Sequence, residues 1–130
     1  MSLTLSDFAF GLDCLRPHVA LIEDCYVLYT PGKERDKIQN VRNWKQLCHG
    51  DMDITEYDSN HRHVIDLCLR LPEPYTLNDI RTVTEVYMAL LRDELRMKYP
   101  DVTFHVELSG DINRWDDIDE AFVTFKCVRK

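Results

Sequence analysis

The chain has 130 residues, 45% of them apolar and 30% charged, which is the composition of one globular domain rather than of a disordered segment. Its formal net charge of −7 argues against the phosphate backbone of nucleic acid as a main partner. No apolar run approaches the roughly 20 residues of a membrane helix, and five cysteines without a CxxC pair fit neither a disulfide framework nor a zinc ribbon.

The opening MSLTLSDF lacks the basic start and long apolar run of a secretory signal, so the expected location is cytoplasmic. Leu5, Phe8, Leu12 and Leu15 stand at helical spacing behind Thr4 or Ser6, and Pro17 closes that first helix. Residues 18–29 carry two readings. Ile22, Cys25, Tyr26 and Tyr29 fit a helix begun at Pro17, whereas Tyr26 to Tyr29 suits a strand; the helix is preferred. After the turn at Thr30, Pro31 and Gly32, a charged helix is expected over residues 33–49, with Ile38, Val41, Trp44 and Leu47 or Cys48 inward and Gly50 as its left-handed stop.

Residues 52–57 read as a short extended run that pairs, through Asp58, Ser59 and Asn60, with a strand over residues 63–71. Along that strand Ile65, Leu67, Leu69 and Leu71 alternate with Val64, Asp66, Cys68 and Arg70. Pro72 and Pro74 end it. Thr76, with Asp79 three residues on, caps a long helix whose stripe runs through Leu77, Ile80, Val83, Tyr87, Leu90, Leu91 and Leu95 up to Pro100. Val102, Phe104, Val106 and Leu108 then alternate with Thr103, His105, Glu107 and Ser109 as a further strand. A right-handed crossover predicts that it runs parallel to the strand before the helix. An acidic loop or single helical turn leads to a nearly all-apolar last strand over residues 121–129.

The order is three helices followed by ββαββ. That predicts a single α+β domain of residues 1–130 with a ferredoxin-like mixed sheet: a helical part in residues 1–50, then the sheet and one long helix in residues 51–130. On this reading Asp66, Cys68, His105 and Glu107 share the sheet face away from the long helix, and all four are legitimate zinc ligands. They can meet if their strands are neighbours and cannot if the last strand lies between them. The competing reading is a polar sheet face under the N-terminal helices. His61 and His63, and His49 beside Cys48, are further candidate ligands, although histidines alternating at a hairpin mouth are more often solvated. Asp116, Asp117, Asp119 and Glu120 lack the EF-hand spacing and read as a solvated turn. Trp44 and Trp115 suit either an interface or the core edge.

With strand, helix and strand assigned, VIDLCLRLPEPYTLND…YPDVTFHVEL resembles the soluble C-terminal domain of cation diffusion facilitator transporters over about residues 51–108. The resemblance implies a dimeric module with zinc near the dimer interface, held by Cys68 on the earlier strand and by His105 and Glu107 on the later one. It points more loosely to His49 or Asp51 upstream. The transmembrane part of that family has no counterpart here, and a cysteine stands where histidine is usual. The expected function is therefore a non-catalytic interaction or regulatory domain that meets a protein partner or a second copy of itself as a homodimer, binding a divalent metal such as zinc. Opposed charge supports the pairing: residues 33–45 carry five cations and residues 111–120 five carboxylates. The alternative is a small enzyme with Cys68 as nucleophile and His105 as base.

Overall fold

One amphipathic helix organises the packing. In the computed structural model, which describes residues 15–71 and 73–129, this helix is α4, Leu77–Lys98; it follows three earlier helices, α1 (Glu34–Leu47), α2 (Met52–Ser59) and α3 (Val64–Leu67). Its start is the expected capping box: the Asp79 N–H donates to the Thr76 hydroxyl at 3.1 Å, and the Thr76 N–H donates to the Asp79 carboxylate at 2.8 Å. Ile80, Val83, Thr84, Tyr87, Leu91 and Leu95 form its buried stripe. The helix expected over residues 5–15 lies, apart from Leu15, outside the described residues, as does Cys14.

The architecture is α+β. A hairpin of β1 (Val19–Ile22) and β2 (Cys25–Leu28) forms one sheet, and β3 (Arg62–His63), β4 (Phe104–Ser109) and β5 (Phe122–Cys127) form a second, in the order β3-β5-β4. Every strand pair is antiparallel, so the sheet is not mixed, and the ββαββ order does not hold. Val123 and Phe125 of β5, with Phe104, Val106 and Leu108 of β4, pack against Tyr87, Leu91 and Leu95 of α4. A second cluster, Val64, Cys68, Ile80, Ile112, Ile118 and Ala121, fills the space beneath the first turns of α4. There the 3₁₀ turn at Trp115–Glu120 leads into β5, and Gly110 lies so near Ala121 that a Cβ on it would stand 2.9 Å from the Ala121 Cα.

Three sequence expectations give way, each for a local reason. Residues 18–29 are a hairpin, because Glu23 and Asp24 both take positive φ (52° and 68°) and form the two-residue turn whose twist suits antiparallel strands. Residues 52–57 belong to a helix, since the Asp51 carboxylate accepts the Ile54 N–H at 3.0 Å and caps α2. The run after His63 coils into α3 and a 3₁₀ turn, Cys68–Arg70, with only two residues left extended. Val64, Leu67 and Cys68 are buried while Leu69 is 75% exposed: the period is helical, and the alternation of leucines was accidental. The helix over residues 33–49 forms as expected and Gly50 is left-handed (φ 79°), but His49 before it is left-handed too (φ 55°), and the Gly50 N–H reaches the Lys45 carbonyl at 2.8 Å in a Schellman closure. Of its four inward candidates Val41 alone is buried, and Leu47 is 71% exposed.

Two polar side chains join the two sheets. Glu56 and Asn60, one turn apart on α2, are both fully buried between β2 and β5. The Glu56 carboxylate accepts the Tyr26 N–H at 2.7 Å on one oxygen and the Cys127 N–H at 2.9 Å on the other. The Arg129 guanidinium donates to both oxygens at 2.8 Å in a bidentate fork, which also raises the Arg129 pKa above its usual value. Asn60 accepts the Leu28 N–H at 2.9 Å and donates to the carbonyls of Tyr26 (2.9 Å) and Phe125 (3.1 Å). A Glu56→Ala substitution leaves two backbone N–H groups and a guanidinium without their acceptor, so denaturant unfolding should show a loss of about 3–5 kcal/mol. A loss below about 1 kcal/mol, the size of an ordinary surface change, would show that the bridge is incidental.

Candidate functional site

The five expected metal ligands do not come together. Among the described residues, no group of three or more His, Cys, Asp or Glu side chains is placed to hold a metal ion. Asp66 and Cys68 are not on a strand at all, so they do not share a sheet face with His105 and Glu107. Cys68 is on a 3₁₀ turn rather than a strand, 2% exposed, and packs with Ile80 of α4. Burial pushes its thiol up to about 11. Asp66 is exposed on α3, and His49 occupies the left-handed position that ends α1. His105 and Glu107 do share the sheet face opposite α4. The His105 ring nitrogen stands 3.3 Å from one Glu107 oxygen, and the Tyr57 hydroxyl donates to the other at 2.7 Å. That hydroxyl, more than the imidazole, holds the Glu107 carboxyl below the usual range.

His61 and His63 belong to an aromatic cluster instead. The His61 ring stacks on Phe122 with centroids 3.9 Å apart, and Tyr57 meets it edge-on at 5.4 Å. Asp116, Asp117, Asp119 and Glu120 lie on the 3₁₀ turn, where Arg114 approaches Asp117 at 3.7 Å. Trp115 is 54% exposed and 6.2 Å from Tyr75, while Trp44 is exposed on α1, so neither tryptophan is a core residue.

A different set of residues does converge. The open end of the hairpin, α1, the end of α2, β3 and the middle of α4 enclose a cleft of about 460 Å³. That size falls within the roughly 300–1,000 Å³ of small-molecule sites. Leu15, Pro17, Leu28 and Tyr29 provide apolar wall, and Tyr87 reaches it from α4. Arg16, Lys37 and Arg62 bring three cations, and His18, Ser59 and His61 the neutral polar groups. Among the described residues no carboxylate lines it, although the chain has 23 acids against 16 bases. Among the described residues, none of the three cations forms a salt bridge. Burial holds the Lys37 ammonium below its usual pKa and pushes the Tyr87 hydroxyl up to about 12 against the opposing charge of Arg62.

The hydrogen bonding of the cleft is incomplete. Among the described residues, the Ser59 hydroxyl oxygen and the His61 Nε2 are buried without a partner, and both residues border the cleft. Elsewhere the buried polar side chains at Glu56 and Asn60 are fully paired. The sequence offered little to find this site by. Its residues come from five elements, and the hairpin that sets two of the walls reads as a helix. The available signal was basic and histidine residues placed at element ends in an acidic chain.

No family model, no curated protein and no solved structure matches this chain. Among the described residues, no helix is long and apolar enough to cross a membrane.

Desolvation lowers the His61 pKa below that of free imidazole. The folded protein then resists a proton that the unfolded chain accepts, so stability is fullest above about pH 6.5 and falls as pH drops through the folded pKa. A proton-detected imidazole titration should place His61 below about 6.5. A His61→Leu variant should lose less stability than the unmodified chain between about pH 7.5 and about pH 5.5.

Proposed function

We propose that the protein is a non-catalytic binding module and that its ligand occupies the cleft between the hairpin, α1 and α2. The observation carrying this reading is the pair of buried atoms, Ser59 Oγ and His61 Nε2, that have no partner among the described residues and belong to residues lining a cavity of about 460 Å³. A single orphan atom has many explanations; two on one cavity wall have a common one. The Cys68 and His105 enzyme reading has little support, because the Cys68 thiol is pushed up to about 11 in an apolar cluster while His105 is exposed beside Glu107.

Amide chemical-shift mapping with a library of small molecules tests the site. Hits should move the Ser59, His61 and Tyr29 signals together, and a broad library that moves none of them removes the reading. In the same protein Cys25 and Cys68, 0% and 2% exposed, should resist iodoacetamide until the chain unfolds. Rapid native labelling of Cys68 would restore the enzyme reading.

Self-association is a second reading, favoured by the exposed apolar residues around the first turn of α4, where Leu69 is 75% exposed and Trp115 is 54% exposed. The charges near them are mainly acidic, Glu73, Asp116 and Asp119 against Arg114, and α1 carries Arg35, Lys37, Arg42 and Lys45 against Glu34 and Asp36. Sedimentation should then show a dimer that dissociates as salt is raised and in a Trp115→Ala variant.

A further inference from the structure

The lining of the cleft specifies more than a cavity. We infer that its ligand is a small organic phosphate: a phosphomonoester carried on a flat, mainly apolar body. This inference rests on the reading of the cleft as a ligand site.

Charge is the first argument. Arg16, Lys37 and Arg62 face one cavity with no carboxylate among its described lining residues, in a chain whose net charge is −7. Cations gathered without counter-ions in an acidic protein repel one another, and a bound anion removes that repulsion. Lys37 makes the point locally: it is partly desolvated, its pKa is lowered, and no carboxylate among the described residues pairs with it. Three positive groups match a dianion better than a single carboxylate. Two arginines add planar forks suited to phosphate oxygens.

Hydrogen bonding is the second argument. The Ser59 hydroxyl can donate to a phosphate oxygen, and the His61 Nε2 either donates or accepts according to its tautomer. Neither group has a protein partner to give up. Shape is the third. The cleft, at about 460 Å³, is much larger than a bare phosphate needs, and the remainder is walled by Leu28, Tyr29 and the flanking prolines Pro17 and Pro31. The Tyr29 ring meets His18 edge-on, with centroids 6.2 Å apart, and has the Lys98 ammonium 5.7 Å from its centroid. An anionic head on the cations and an aromatic body on that wall use the whole lining.

Calorimetric titration of the full chain, with amide shifts recorded in parallel, tests the assignment. The probes are adenosine 5′-monophosphate, phenyl phosphate, inorganic phosphate and adenosine. Both phosphate esters should bind and shift Ser59, His61 and Tyr29. Inorganic phosphate should bind more weakly, and adenosine should give no saturation. Added salt should weaken the esters. Lys37→Gln and Arg62→Gln variants that retain the cooperative melting transition should each bind phenyl phosphate about tenfold or more weakly. If neutral library members shift the three amides and the esters do not, the cleft remains a ligand site and the phosphate assignment falls. If inorganic phosphate binds as tightly as the esters, the apolar body is overturned. If nothing shifts those amides, the assignment and the reading beneath it fall together.

Discussion

The fold depends on a hydrogen-bonding problem solved by side chains. β2 and β5 belong to separate sheets, and the backbone groups of β5 beyond its short pairing with β3 face inward, where unpaired amides are costly. Glu56 and Asn60 supply the missing partners. Together they take three N–H groups and give two donors across the gap, so two small sheets act as one surface for α4. A fully buried carboxylate in this position requires a cation. Arg129 provides it, while also reaching Asp53 at 2.8 Å and the Asp24 carbonyl at 3.3 Å. One guanidinium thus ties the end of β5 to α2 and to the turn of the hairpin.

The long helix was legible in the sequence because cap, stripe and terminating proline agree over six turns, and β4 and β5 were legible because their alternation is clean. What failed was short. Residues 63–71 carry apolar side chains at both period two and period three to four, and over nine residues periodicity cannot choose; packing of Val64 and Cys68 against Ile80 decides it. The hairpin turn uses Glu23 and Asp24 at positive φ, where Asn-Gly would have announced it. Residues 52–57 look extended on their own, and it is the Asp51 carboxylate cap in front of them that starts a helix there. Each of these errors displaced candidate site residues. Cys68 moved from a sheet face to the core, and the residues flanking the hairpin became the walls of a cleft.

The chemistry follows the same division. Buried polar groups that hold the fold together are saturated: Glu56, Asn60, and Thr124, whose hydroxyl donates to the Tyr57 carbonyl at 2.6 Å. Ser59 and His61, adjacent to Asn60 in the sequence, each keep one buried polar atom without a partner among the described residues, beside the cleft. The end of α2 therefore changes character within a turn, from a saturated structural bridge to a stretch left partly unpaired. His61 is tied to the central strand of the sheet by its stacking on Phe122 of β5.

The strand order has a consequence for how the chain reaches this state. β5 lies between β3 and β4 but follows both in the sequence, so neither has its partner while the nascent chain emerges from the ribosome. α4 can coil early, yet its greasy stripe has no completed sheet to settle on until residues 122–127 arrive. Topologies that wait for such distant contacts assemble slowly and leave sticky intermediates.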